Sequence, residues 1–320
     1  MSFFLSIVLV FASCATSPRA GQVSADGPPD FSVLPAGANV YLWADVERAR
    51  PLLDSFSMAG FKIKDASQVL DRTQTAVAAL YPEESPQRFF LAARGKYPDT
   101  RAGISMSFSR NWKKVKSETG NRYWHSKGYG VGVAMGTELV FASSGDPFAP
   151  PSGSDPAPEG FEDFRRPCVL AGWLNNPDLP INRFMDGLGI PLQIPAQEFF
   201  FGIVRSTANL SFTEASLTDN AQWELVFGIR TASASQARSL VSLFSMARFF
   251  MMMGMDDGDE FSGEDSSFGP MELAALLFAN VPEQNEDFLT LRIGPLDEKR
   301  IALLLTMFPV YSNLSNGLTE

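Results

Sequence analysis

Few side chains in this 320-residue chain have types and spacing that could support chemistry: two cysteines, Cys14 and Cys168, one histidine, His125, and an acidic run from Asp256 to Asp265. Cys14 stands behind an apolar stretch, Phe3 to Phe11, and the small pair Ala12-Ser13, an order that fits a secretory h-region running into a cleavage site. The stretch falls short of the roughly 20 residues a membrane-spanning helix needs, so a transient export signal is the better reading. Cys168, in Pro-Cys-Val-Leu-Ala, sits in a strand-like apolar run and reads as a buried thiol. His125, in Arg-Tyr-Trp-His-Ser-Lys, has neither a second histidine nor a cysteine near it with which to start a metal site. The acidic run lacks the spacing of a calcium loop and reads as a solvated loop. Gly128-Tyr-Gly-Val-Gly has glycines in the manner of a nucleotide loop, but no helix follows it, and bulges explain it better. Without a Gly-x-Ser-x-Gly elbow, a P-loop or a His-Glu-x-x-His motif, no enzyme, cofactor or metal is expected.

The tetrad Phe11-Ala12-Ser13-Cys14 resembles the lipobox of bacterial lipoproteins in its looser, spirochaetal form, with phenylalanine where leucine is commonest. The resemblance implies that Cys14 is thioether-linked to diacylglycerol and becomes the mature N-terminus. No Lys or Arg precedes Cys14, which departs from the positive n-region of an export signal. The competing reading is an ordinary cleaved signal with an incidental cysteine. Acyl chains add about 0.8 kcal/mol per buried methylene, so a multiply acylated Cys14 would hold the protein on a membrane without any spanning helix.

A formal net charge of -10 argues against nucleic acid, whose phosphates need clustered Lys and Arg. A hydrophobic content of 45% is ample for a core. The organisation reads as a signal peptide over 1–13, a flexible tether over 14–30 and a first half over 31–145. A Pro/Gly-rich linker over 146–160 with five prolines, a second half over 161–313 and a tail over 314–320 complete the chain. In the first half, Asn39 to Val46 reads as a strand, and Ala49 to Phe56 and Asp65 to Tyr81 as helices. Strands are expected over Arg88 to Lys96, Ala102 to Ser109, Arg122 to Met135 and Glu138 to Ser143. In the second, Cys168 to Trp173 reads as a strand, Pro180 to Leu188 as a helix, and Glu198 to Ser206, which echoes Arg88 to Lys96, as another strand. Two more strands follow over Ala208 to Ala215 and Ala221 to Thr231. The expected fold class is α+β: two loosely pseudo-repeated halves, antiparallel sheets covered by amphipathic helices.

The covering helices of the second half are the unusual ones. Ser233 to Met255 carries one narrow serine- and arginine-bearing stripe and is otherwise apolar, and Met271 to Val281 and Asp297 to Phe308 are apolar over more than half their circumference. Such faces either pack on the sheet and on each other or open to lie in a bilayer interface; the candidates for lipid contact are Leu240, Phe244, Phe249, Phe250, Met252, Leu304 and Phe308. Arg238 and Arg248 argue against a transmembrane span. Loose lipobox, Pro-rich tether, α/β body and amphipathic helices together resemble treponemal outer-membrane lipoproteins thought to insert such helices into the inner leaflet. That resemblance implies a periplasm-facing protein of the outer membrane that perturbs membrane or handles lipid, with no catalytic site to carry over. The expectation is a non-enzymatic, lipid-anchored envelope protein that binds a membrane surface or a lipid or hydrophobic ligand. The rival is a periplasmic scaffold or assembly module binding an envelope protein. A third class, an envelope hydrolase, would require His125 buried beside a carboxylate and a serine.

Overall fold

In the computed structural model, residues 30–58, 70–81, 88–97, 106–128, 130–148, 155–177, 182, 194–206, 222–254, 276–298 and 300–301 are described. The strands are β1 (Val40–Asp45), β2 (Thr73–Tyr81), β3 (Arg88–Gly95), β4 (Trp112–Lys116), β5 (Arg122–Ser126), β6 (Val131–Met135), β7 (Leu139–Ser143), β8 (Leu170–Leu174), β9 (Glu198–Arg205), β10 (Trp223–Arg230), β11 (Glu283–Asn285) and β12 (Phe288–Leu296). The helices used below are α1 (Arg50–Met58), α2 (Phe161–Arg165) and α3 (Ala234–Gly254).

All strands join one 12-stranded sheet in the order β11-β12-β10-β9-β8-β1-β2-β3-β7-β6-β5-β4. The two halves meet where β1 pairs antiparallel with β8, from Val40 opposite Leu174 to Ala44 opposite Leu170. Alternation along the strands makes two apolar faces. Val40, Leu80, Leu91, Ile203, Leu225 and Leu291 share one cluster with Leu52 of α1 and with Leu240 and Phe244 of α3. The opposite cluster holds Tyr41, Trp43, Val77, Trp173 and Phe200 beneath Phe31 and Phe161 of α2.

Aromatic packing closes the β1–β8 seam on that second face. Tyr41 stacks on Trp173 at 4.7 Å, and Phe31 and Phe161 meet the same indole edge-on at 4.5 and 4.7 Å. Such pairs add about 0.5–1.5 kcal/mol each beyond the area they bury. Gly172 of β8 lets the strands approach: a Cβ there would lie 2.4 Å from the Tyr41 carbonyl oxygen.

Asp155, within the stretch read as a linker, ties the same seam. Its carboxylate accepts from the Gly37 amide (2.8 Å), the Tyr41 hydroxyl (2.8 Å) and the Asn175 side-chain amide (3.1 Å). Over the described residues 155–160 the stretch takes no regular structure, and one charged side chain fastens it across both halves instead.

Other expectations change. Asp65 to Tyr81 is not a helix through its length, because Thr73–Tyr81 is strand β2. A central strand covered on both faces shows a continuous apolar run with no period of 2, and Ala76, Val77 and Leu80 fit a helical stripe equally well. Residues 106–108, expected in a strand, form a helical turn, and Arg122 to Met135 holds two strands, β5 and β6, with turn residues 127, 128 and 130 between them. The echo between 198–206 and 88–96 is not one of sheet position: β9 lies next to β8, whereas β3 is separated from β1 by β2. Strands β4, β11 and β12 and helix α2 are additions to the sequence reading. The expected helix Pro180 to Leu188 lies outside the described residues except for Asn182, and the strand over 208–215 lies outside them altogether.

Burial pushes the Tyr41 hydroxyl well above its ordinary pKa, and its hydrogen bond to Asp155 adds to this. The folded protein therefore keeps a proton that the unfolded chain releases near pH 10, so this contribution is complete below about pH 10 and falls as pH rises beyond it. Asp155→Ala is expected to cost about 2–3 kcal/mol in urea unfolding at neutral pH, since hydrogen bonds to a charged group are lost. Tyr41→Phe should weaken the alkaline loss of stability; an unchanged slope between pH 9 and 12 would show that this hydroxyl does not govern it.

Candidate functional site

Helix α3 starts on a reciprocal cap. The Ser233 hydroxyl accepts from the Gln236 amide (3.3 Å), and the Gln236 side-chain carbonyl accepts from the Ala232 amide (3.1 Å). Gln284 of β11 donates to the Ala234 carbonyl at 3.1 Å, holding the helix start against the end of the sheet, where α3 lies along β11 and β12. Ala237, Leu240 and Phe244 turn inward and are buried, with Val241 and Ala247 packed beside them. Phe244 meets Phe278 of the helical turn 276–279 at 5.1 Å.

The outward face is apolar as well. Leu243, Met246 and Phe249, three residues apart, are 37%, 50% and 59% exposed. Serines lie between them, and each hydroxyl is already satisfied by the helix: Ser239 donates to the Ser235 carbonyl, Ser242 to that of Arg238 and Ser245 to that of Val241, at 2.9–3.1 Å. Hydroxyls bonded back to the preceding turn leave no free donor for water, so the stripe is cheaper to desolvate than its composition suggests. Arg238 and Arg248 supply the only full charges on α3, which carries no carboxylate. Among the described residues no helix is long and apolar enough to cross a membrane.

Of the residues picked out in the sequence, Leu240 and Phe244 are core residues here, 2% and 4% exposed, and Phe249 is on the surface. Phe250 and Met252 lie on α3 with their side chains outside the described residues, as Cys14, Leu304 and Phe308 are altogether. Sequence reasoning missed Leu243 and Met246 as surface positions. The signal was present: the inward set 237, 240, 241, 244 and 247 follows helical spacing, which leaves 243, 246 and 249 facing away. Phe108, 85% exposed at the other end of the sheet, also had no place in that reading.

The other reactive side chains among the described residues are paired or buried. A groove of about 440 Å³ runs between α2 and β10–β12, floored by Phe200 and Val226 and rimmed by Arg230 and Arg292. Those cations are engaged, Arg230 by Glu198 (2.8 Å) and Asp287 (3.8 Å), Arg292 by Glu224 (3.3 Å). Cys168 is buried beneath the groove, its thiol directed to the Phe164 carbonyl (3.3 Å), and burial pushes it up to about 12 against the pull of Arg292, Arg48 and Arg165. His125, half-buried, faces Lys113 and Gly132 across its strand neighbours. Among the described residues no three His, Cys, Asp or Glu side chains converge as a metal site would require. Native Cys168 should react with a thiol reagent at pH 8 on the order of a thousandfold more slowly than a free cysteine, and at the free rate once unfolded; fast labelling of the folded Cys14→Ser protein would contradict the buried placement.

Three comparisons bear on this arrangement. Residues 29–144 match the model of the family described as outer membrane-associated lipoprotein TP0453. No curated protein sequence matches the chain. Among solved structures, crystal form III of TP0453 aligns with a TM-score of 0.55 at 16% identity, covering 89% of this chain and 99% of that one. Form I aligns with a TM-score of 0.53 at 15% identity, covering 89% and 100%. At such identity the structures establish a shared fold, one mixed α+β architecture around a large antiparallel sheet. With the family match, they bear out the resemblance to treponemal outer-membrane lipoproteins and the bacterial envelope address read from the chain's organisation.

Proposed function

We propose that this is a non-enzymatic envelope lipoprotein, anchored through an acylated Cys14, whose body engages a membrane surface through the outer face of α3. The observation that carries the reading is the stripe of Leu243, Met246 and Phe249 set among serines whose hydroxyls are bonded within the helix. Burying such side chains fully yields about 1.5–3 kcal/mol each, and partial burial of three would supply several kcal/mol. That is modest for a free protein, but a tethered body meets the bilayer at high effective concentration, so a weak face suffices. Arg238, exposed and next to that stripe on the helix, would meet lipid phosphates there.

Deeper engagement would separate α3 from the helical turn 276–279, parting Phe244 from Phe278 and releasing Leu240 and Phe244 for lipid. The scaffold reading keeps one point in its favour: among the described residues the sheet ends in unpaired edges at β4 and at β11.

Vesicle flotation of the full chain carrying Cys14→Ser separates the two. Phe249→Glu and Met246→Glu change exposed positions and should leave the fold intact while lowering vesicle binding about tenfold or more, the loss of roughly 1.4 kcal/mol or more. Equal flotation of both variants and the parent would remove α3 from the function, and no flotation by the parent would favour the scaffold.

A further inference from the structure

The far end of the sheet has a charge opposite to that of the protein. The chain has 36 acidic residues against 26 Lys and Arg. Yet the β4–β5 hairpin and its flanks expose Arg110, Lys113, Lys114, Lys116, Arg122 and Lys127, with Glu118 as the single acid in that span. None of the six makes an ion pair among the described residues. Lys114 alone is partly engaged, its ammonium 5.6 Å from the Trp124 ring.

Lysines on an outermost strand commonly prevent pairing with a foreign edge, and Lys113, Lys114 and Lys116 of β4 do serve that end. Edge protection does not account for Arg110, Arg122 or Lys127, which lie off β4. Nor does it account for the register, in which Lys116 stands directly opposite Arg122. Like charges placed opposite each other across a strand pair destabilise it. An uncompensated cationic patch kept at that cost is one for which an anion from outside supplies the missing partner. Two residues before Arg110, Phe108 stands 85% exposed, an apolar side chain of the kind that a bilayer interface buries.

We infer that the β4–β5 hairpin, with Phe108, is a docking surface for an anionic phospholipid bilayer. Lipid phosphates provide the charge that the register lacks, and Phe108 provides an apolar contact at headgroup depth. The surface lies at the opposite end of the sheet from α3, so the two contacts can fail separately.

The test is co-sedimentation of the full chain carrying Cys14→Ser with vesicles of phosphatidylcholine alone and of phosphatidylcholine mixed with phosphatidylglycerol. The parent should prefer the anionic vesicles, and raising salt should erode the preference through screening. Lys113→Glu with Lys116→Glu should lower partitioning onto anionic vesicles at least about thirtyfold, given the attraction each basic residue contributes at such a surface. The same substitutions place a carboxylate opposite Arg122, so the variant should melt no lower than the parent, which separates lost docking from lost folding. Phe249→Glu should keep the preference for anionic vesicles. A parent without that preference, or a doubly reversed variant that retains it, would overturn the inference and leave the cations as edge protection alone.

Discussion

The antiparallel pairing of β1 with β8 is the interaction on which the rest of the molecule depends. Without it the chain would be two smaller sheets, each with another bare edge. With it, one sheet offers a single continuous face to α1 and α3 and another to α2. Backbone pairing alone would not define that seam. Gly172 admits the close approach, the Tyr41–Trp173 stack fixes the register from one face, and Asp155 binds a proline-rich strap across both partners. A long sheet assembled in this way has two distant ends, and each end carries surface chemistry that the core does not consume.

On the proposed reading, that chemistry serves adhesion. The polar groups that might have converged on a substrate are neutralised in place: Arg230 and Arg292 by carboxylates, Cys168 by burial, the α3 serines by their own helix. What remains outward is apolar at α3 and cationic at the β4–β5 hairpin. A protein tethered beside a membrane has use for both, because each needs only a surface and no precisely shaped ligand.

Much of this was legible in the sequence where one physical pattern dominated. Strands β1, β3, β8, β9 and β10 and helices α1 and α3 lie where periodicity puts them, α3 within a residue at either end because Ser233 and Gln236 form its cap. The reading failed where burial is two-sided, as in β2, whose covered alanines carry no strand period. It failed again where charge masks a strand, as in Trp-Lys-Lys-Val-Lys of β4, and where a short strap is fastened by a side chain whose partners are remote in sequence, as at Asp155. For the candidate site, composition pointed to α3 but did not fix its rotation. Leu240 and Phe244 face the core and Leu243 and Met246 face away, a choice fixed by contact with the sheet and Phe278.

The central claim, that the outer face of α3 enters a bilayer, is tested most directly by measuring depth. In a Cys14→Ser, Cys168→Ala background, an environment-sensitive fluorophore is attached at Met246→Cys, or at Glu162→Cys of α2 on the opposite face of the sheet as a reference, and quenched by lipids carrying spin labels at known acyl positions. The account predicts a blue shift and acyl-level quenching at position 246 on addition of vesicles, with position 162 remaining aqueous. Fluorescence at 246 that stays aqueous while the protein is vesicle-bound would contradict it and assign membrane contact to another part of the molecule.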